Sequence, residues 1–323
     1  MFEARVIKDS ICNGHRLTTM QVTMPRIILA EWNTHCMFAR NTSSSRAIPF
    51  STTVKRVIEF PFVPIYWGCN QGGMQSFTEL TGQRREIAIQ KWLVARDNAV
   101  KIATELAGGK CEFCNGMTRV VPTPIGSGAS KCSVCDGDGI GLNLHKQVVN
   151  RLLEPWMWTT NCTTGDASAW SNFFALRCHP DAEPHMQKIA YMAQLAYYKS
   201  TPEVLEVGQW HTPYIKPEEY AEIYTWSIVN EVKPVDAVVS ISTGRCARTS
   251  YLTQEGTRDF GKDIELHDRL RYHVPLHASP FEHVCQAMGN NERYAKYTGW
   301  KSYRHFLPRE YVKDFKPNHP ELN

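Results

Sequence analysis

Between Asn33 and Arg46 the chain gathers His35, Cys36, Asn41, three consecutive serines and two arginines, directly after an apolar stretch. Such a cluster offers little to a hydrophobic core and much to a phosphate. Arg46 can fork two donors onto phosphoryl oxygens, the hydroxyls of Ser43, Ser44 and Ser45 can add more, and serine-rich turns leave backbone N–H groups free for an anion. The same residue types also suit a capped turn with a solvated arginine, because Asn and Ser are common at helix ends.

A second chemistry-bearing pattern is Cys111-x-x-Cys114 and Cys132-x-x-Cys135, with 17 residues between the pairs. Two such knuckles can set four thiolates around one Zn²⁺, and Cys-Asn-Gly and Cys-Asp-Gly-Asp-Gly supply the tight turns they need. A closed four-sulfur shell has no open position for water, so the expectation is a structural Zn²⁺ in an inserted ribbon, residues 110–139. Lys110, Arg119 and Lys131 are opposed by Glu112, Asp136 and Asp138. That is no basic stripe, so nucleic acid is an unfavoured partner and a metal staple under a surface excursion is the simpler role.

The elements that must position these groups can be sketched. Leu17 to Met24 alternates as a strand does, and Pro25 opens a helix expected over Ile27 to Phe38. Gln83 to Leu106 reads as a long amphipathic helix stopped by Gly108-Gly109. A helix from Leu142 to Leu153 would carry Arg151. Pro184 to Tyr198 and Asp263 to Arg271 are further helices, and Pro202 to Pro234 reads as a connection. Trp156, Trp158, Trp170, Phe173 and Phe174 are better read as core than as a stacking platform. No repeat and no Gly-x-Gly-x-x-Gly fingerprint is present.

Composition sets the class. At 323 residues and 42% hydrophobic content the chain can bury one large or two modest cores, and a net charge of +4 demands neither nucleic acid nor an acidic membrane. No apolar run is long enough to span a bilayer and the amino terminus lacks a signal-like core. Eleven cysteines without a signal peptide imply a reducing compartment. Cytoplasmic location is therefore expected, the host's cytoplasm if the gene is a phage's. Outside the knuckles and Cys36, the thiols Cys12, Cys69, Cys162, Cys178, Cys246 and Cys285 are expected to be buried.

The segment around His35 resembles the signature of flavin-dependent thymidylate synthases. His35, Asn41, Ser44 and Arg46 fall on that pattern, whereas Thr34 and Cys36 replace two arginines, Ala39 a serine and Thr42 an acid. Arg245-Cys-Ala-Arg-Thr-Ser-Tyr251 and His277-Ala-Ser-Pro-Phe-Glu-His283 resemble a second pair of motifs of the same family. Most members carry that pair before the signature, and here it follows by about two hundred residues. The chain thus resembles the circularly permuted, phage-like divergent branch, a rearrangement tolerable when the original termini lie close together at the surface. Asn150-Arg-Leu-Leu-Glu-Pro155 resembles one further element, and Asn172-Phe-Phe-Ala-Leu-Arg177 followed by Asp181-Ala-Glu-Pro-His-Met-Gln187 resembles another, with Glu183, His185 and Gln187 departing from it.

What the resemblance implies is an α+β fold of that family, permuted, with residues 1–109 and 140–323 as the catalytic domain interrupted by the ribbon. It implies FAD, with methylenetetrahydrofolate and NADPH as co-substrates, in a homotetramer whose active sites are shared between subunits. Ser44, Ser45, Arg46 and Arg151 would hold the phosphate of a pyrimidine deoxynucleotide. Thr34, His35, Asn41, Asn172, His277 and Ser279 would line the flavin. Gln187 would face the pyrimidine where the family has arginine, so conversion of dUMP to dTMP stands beside C5 hydroxymethylation or hydroxylation of dCMP or dUMP, since an amide suits either base. Cys36 is the candidate nucleophile toward pyrimidine C6, or else fills the space of a lost arginine. A non-catalytic nucleotide- or nucleic-acid-binding protein, working through its ribbon, is the reading from another class.

Overall fold

The computed structural model describes residues 1–111, 113–116, 131–252, 258–308 and 310–312. The chain opens as a hairpin, β1 (Glu3–Cys12) and β2 (His15–Pro25), closed by Asn13 and Gly14 at φ 47° and 84°. Two positive φ values are what a tight two-residue turn requires. β1 was not legible from its sequence, because Arg5, Lys8 and Asp9 break its alternation. The helix expected over Ile27 to Phe38 is much shorter. A 3-10 turn, Arg26–Ile28, leads into the single turn of α1 (Leu29–Trp32), and polar side chains then unwind it. Thr34 donates its hydroxyl to the Glu31 carbonyl, and Arg40 caps the carbonyls of Trp32 and Asn33. The chain thereby turns early into β3 (Ala39–Thr42), a strand that the serine-rich composition concealed.

Next come α2 (Phe50–Glu59) and the expected long helix α3 (Gly82–Ala107). After the ribbon, the helix expected from Leu142 begins only at α4 (Lys146–Val149) and continues as a 3-10 segment, Asn150–Trp156. Pro155 lies inside that segment, and proline cannot supply the N–H a regular helix needs. β4 (Trp158–Asp166), α5 (Ala167–Arg177) and α6 (Pro184–Lys199) follow. The presumed connection Pro202 to Pro234 holds β5 (Glu203–Val204), β6 (Trp210–His211) and α7 (Glu219–Val229), then come α8 (Pro234–Arg248) and α9 (Phe260–Tyr272). β7 (Cys285–Ala287), β8 (Arg293–Tyr294), β9 (Tyr297–Thr298) and β10 (Trp300–Ser302) complete the mixed α+β fold.

The main sheet has the order β3-β4-β2-β1-β5, antiparallel except where β5 joins β1, and β3 is one edge. Because side chains alternate along β2, its even positions Met20, Val22 and Met24 face α5 and α6, burying Trp32, Phe38, Trp170 and Phe173 with them. The odd positions Thr19, Gln21 and Thr23 face the layer of α8 and the small sheet β10-β7-β6, together with Thr160, Cys162 and Thr164 of β4. Trp156, Trp170, Phe173 and Phe174 are indeed core, while Trp158 is half-buried. Cys12, Cys162, Cys246 and Cys285 are buried as expected, but Cys69 and Cys178 are only partly so. Gly244 is the crossing point of α8 and α9. A Cβ there would strike the Asp263 carbonyl.

Candidate functional site

Edge strand β3 is where segments remote in sequence meet. Asn41 points toward α8, donates from Nδ2 to the Cys246 carbonyl at 2.7 Å, and accepts on Oδ1 from the hydroxyls of Ser250 and Ser279, each at 3.3 Å. The Ser44 N–H donates to the Ser250 carbonyl at 3.0 Å. The signature segment and both carboxyl-side motifs are therefore one local structure. Beyond β3, Asn150 donates to the carbonyls of Ser45 and Ile48 at 2.7 and 3.0 Å, and Lys146 donates to that of Ala47 at 3.0 Å. These bonds clamp the Ser44–Ile48 turn onto the segment that carries Arg151.

Arg46, in the clamped turn, and Arg151, next in sequence to Asn150, are both exposed, Arg151 with its Nε on the Gln147 carbonyl of its own turn. The Ser44 hydroxyl accepts from the Arg46 N–H at 3.3 Å and remains partly open. Ser43 and Ser45 turn inward instead. Ser43 accepts from the Thr160 N–H, and Ser45 donates to Glu154 at 3.0 Å, so neither hydroxyl points to solvent.

A second cluster lies on the opposite face of β3. Arg177, the last residue of α5, reaches His35 Nε2 at 2.8 Å, the Glu31 carboxylate and the Thr34 hydroxyl. His35 is 7% exposed and packed edge-on against Phe173, and burial together with Arg177 and Arg40 pushes its pKa down to about 4. Cys36 beside it is exposed. Asn172 is exposed on α5 and Gln187 is half-exposed on α6, its amide donating to the His179 carbonyl at 2.7 Å. Glu183 and His185 are structural. Glu183 caps α6, and the His185 ring bonds Glu183 through Nδ1 while Nε2 accepts from the Ile65 N–H at 3.0 Å.

The carboxyl-side motifs mix exposed and buried members. His277 is exposed with its ring 4.2 Å from that of His273. His283 is fully buried in a hydrogen-bonded chain, Ser10 to His211 to Thr19 to Thr164 to His283, with links of 2.6 to 2.9 Å. Burial and the charge of Lys8 push the His211 pKa well down. Glu282 takes Lys296 at 3.0 Å and Arg304 at 2.7 Å, and Lys296 also donates to the Phe38 carbonyl. Arg245 and Arg248 bind Asp263 at 2.9 and 2.6 Å, and Arg245 binds Glu219 at 2.9 Å, which locks α9 and α7 onto α8. A cavity of about 350 Å³ opens beside Arg248 and Tyr251, and one of about 260 Å³ beside Glu282 and Lys296. Neither is lined by His35, Ser44, Arg46 or Arg151.

Sequence reasoning assigned no role to Arg177, Asn150 or Arg40. Arg177 stood in a quoted motif, and a cation ending an apolar helix was its available signal. Asn150 and Arg40 act through backbone carbonyls, which no residue pattern announces.

In the ribbon, one sulfur from each of Cys111, Cys114, Cys132 and Cys135 lies within 4.8 Å of the other three. Asn115 and Gly116, and Asp136 and Gly137, take positive φ values as the two knuckle turns. The knuckles touch, for a Cβ on Gly139 would come within 2.8 Å of the Gly116 carbonyl oxygen. The stem closes through Cys111 N–H to Gly139 O and Gly141 N–H to Gly109 O, both 2.9 Å. Four thiols so placed form a donor set able to hold one tetrahedral cation such as Zn²⁺. Glu112 and Arg119, part of the charge balance argued above, lie outside the described residues.

No family model and no curated protein matches this chain. Among solved structures it is similar to the UMP/dUMP methylase PolB from Streptomyces cacaoi bound with 5-Br dUMP, at TM-score 0.37 and 13% identity over 57% of this chain and 66% of that one. Two structures of the flavin-dependent thymidylate synthase ThyX from Helicobacter pylori with FAD and dUMP give TM-scores of 0.33 and 0.32, at 13% and 14% identity, over 56% of this chain and 67% of theirs. This chain therefore spans about two thirds of the length of those proteins. Among the described residues no helix is long and apolar enough to cross a membrane.

Proposed function

We propose that this protein is a flavin-dependent enzyme that modifies C5 of a pyrimidine deoxynucleotide, converting dUMP to dTMP with methylenetetrahydrofolate, FAD and NADPH. The observation that carries the reading is the Asn41 junction, where the permuted motifs of the two chain ends share hydrogen bonds. The residues at β3 suit the group. Asn41 orients the exposed Ser279, His277 lies exposed two residues before it, and on the other face Arg177 holds Thr34 and His35, so polar side chains of the kind a polar heterocycle takes are fixed on both faces of β3. Reduced flavin, when bound, supplies the hydride equivalent that makes a one-carbon unit on C5 a methyl group.

The chain's own residues bind and orient. Arg46, in the clamped turn, and Arg151, next in sequence to Asn150, grip the nucleotide phosphate with Ser44. Their exposure supports a site completed by neighbouring copies, a homotetramer with shared active sites. Gln187 uses its amide donor on His179, which leaves its carbonyl oxygen for a ring N–H of the base. Cys36 fills the place of a lost arginine. The ribbon, residues 110–139, is a structural Zn²⁺ module.

The test is direct. Purified protein is examined for flavin absorption and then incubated with dUMP and with dCMP, each with folate donor and reductant, the products being weighed by mass spectrometry. A gain of a methyl group on dUMP is expected. Turnover of dCMP alone, or addition of a hydroxymethyl or hydroxyl group, would replace the reading. A colourless protein that takes up no FAD and turns over neither nucleotide would overturn it.

A further inference from the structure

The state of His35 is fixed by its partner. Arg177 donates Nε–H to His35 Nε2 at 2.8 Å while its terminal nitrogens hold Glu31 and Thr34. A guanidinium keeps all its protons, so the nitrogen that accepts from it must carry a lone pair, and the single ring proton then lies on Nδ1. Phe173 at 4.9 Å and Phe38 at 6.2 Å hold the ring plane between them. Nδ1 meets no acceptor among the described residues.

We infer that His35 serves the site as a permanently neutral Nδ1–H donor toward a carbonyl oxygen or imine nitrogen of a bound heterocycle, with Arg177 as the positioning residue that sets its tautomer. This rests on the reading that such a ring lies against this segment. It assigns His35 to orientation, not to proton transfer. The groups facing it agree. Arg177 from α5 and Arg40 from β3 are cations that oppose an imidazolium. Glu31, the nearby carboxylate from α1, is already paired with Arg177, Glu183 at the start of α6 acts on Glu31, and the Cys36 thiol lies next along the chain toward Arg40. Burial disfavours a cationic His35 most, and such a ring would also lose the Arg177 bond and face the charges of Arg177 and Arg40, so its pKa sits low.

The experiment reads the ring itself. Long-range ¹H–¹⁵N spectra of the ligand-free full chain, with the His35 signal assigned by loss in His35→Gln, are recorded from pH 5.5 to 8.5. A protonated Nδ1, an unprotonated Nε2 and no titration in that range are expected. In Arg177→Met the midpoint should rise toward the ordinary imidazole value of about 6.5, and Arg177→Lys should restore the Nδ1–H form. If Arg177→Met does not fold, the wild-type and Arg177→Lys spectra still decide. A wild-type Nε2–H signal, or titration near neutrality, would overturn the inference. Flavin binding followed by fluorescence should be flat across the same range in wild type and acquire a pH break in Arg177→Met, and a break in wild type would likewise overturn it. An Nδ1–H tautomer in a protein that takes up no flavin and no nucleotide would leave the lock standing and remove the function proposed above.

Discussion

The two faces of the main sheet are built from opposite chemistry. One presents Met20, Val22 and Met24 to Trp32, Trp170 and Phe173, where stability comes from close packing that excludes water. The other presents Thr19, Gln21, Thr23, Thr160, Cys162 and Thr164, all buried, to His211, His283 and Tyr214. Buried polar groups cost free energy unless each finds a partner, so the second face is held by pairing rather than by area. The lesson is one of division. The apolar face supports the fold, while the polar face fixes the angles at which β3 and the carboxyl-side motifs meet.

That division can be broken by single changes. Phe173→Ala empties the apolar face and should cost about 3–5 kcal/mol of stability, read as a lowered urea midpoint. Thr164→Val interrupts the chain between Thr19 and His283, leaves Thr19 only His211 and His283 Nδ1 without its partner, and should cost less, about 1–3 kcal/mol. Equal losses from the two would show that both faces are held alike. Smaller again is the acid response of the ion cluster behind the polar face. Burial alone would raise the Glu219 carboxyl, but Arg245 and Arg258 hold it down to about 2. Its folded value lies below its unfolded one, so its stabilisation is complete above about pH 4.5 and is lost as pH falls toward 2. Glu219→Gln should flatten the stability slope in that window and lower stability at neutral pH. The smallest effect on the sheet is expected from a strong chelator with reductant. On the proposed structural Zn²⁺, it should strip the metal from the four-cysteine cluster, read by new protease cleavage beside Cys111 and Cys135, while the stability of the sheet changes by no more than about 0.5 kcal/mol.

Much of this was legible in the residues, and what escaped has physical reasons. β2, α3, α6 and α9 showed as alternation or helical spacing, and the cysteine knuckles declared themselves by their intervals. α8 was given no element in the sequence because its buried face is built from Ser240, Ser242, Thr243, Gly244 and Arg245, which leave no apolar spacing to read. β3 was missed because its polar residues are satisfied from outside the strand, by Asn161 and by α8. At the site, sequence proposed Ser45 as a phosphate ligand because hydroxyls in a row look equivalent, and only contacts with Thr159, Thr160 and Glu154 distinguish the inward pair Ser43 and Ser45 from Ser44. His35 was visible, but its charge state was not, since that depends on Arg177 from a helix more than a hundred residues away.

The Asn41 amide also sets a timetable. A side chain in β3 is gripped by Cys246 and Ser279, so the chain must be made through Ser279 before that grip can form. Until then β3 has no partner across its α8-facing surface, and such long-range closure is slow. Chains that stop short of Ser279 therefore lack the full set of bonds that joins β3 to α8 and the segment after α9.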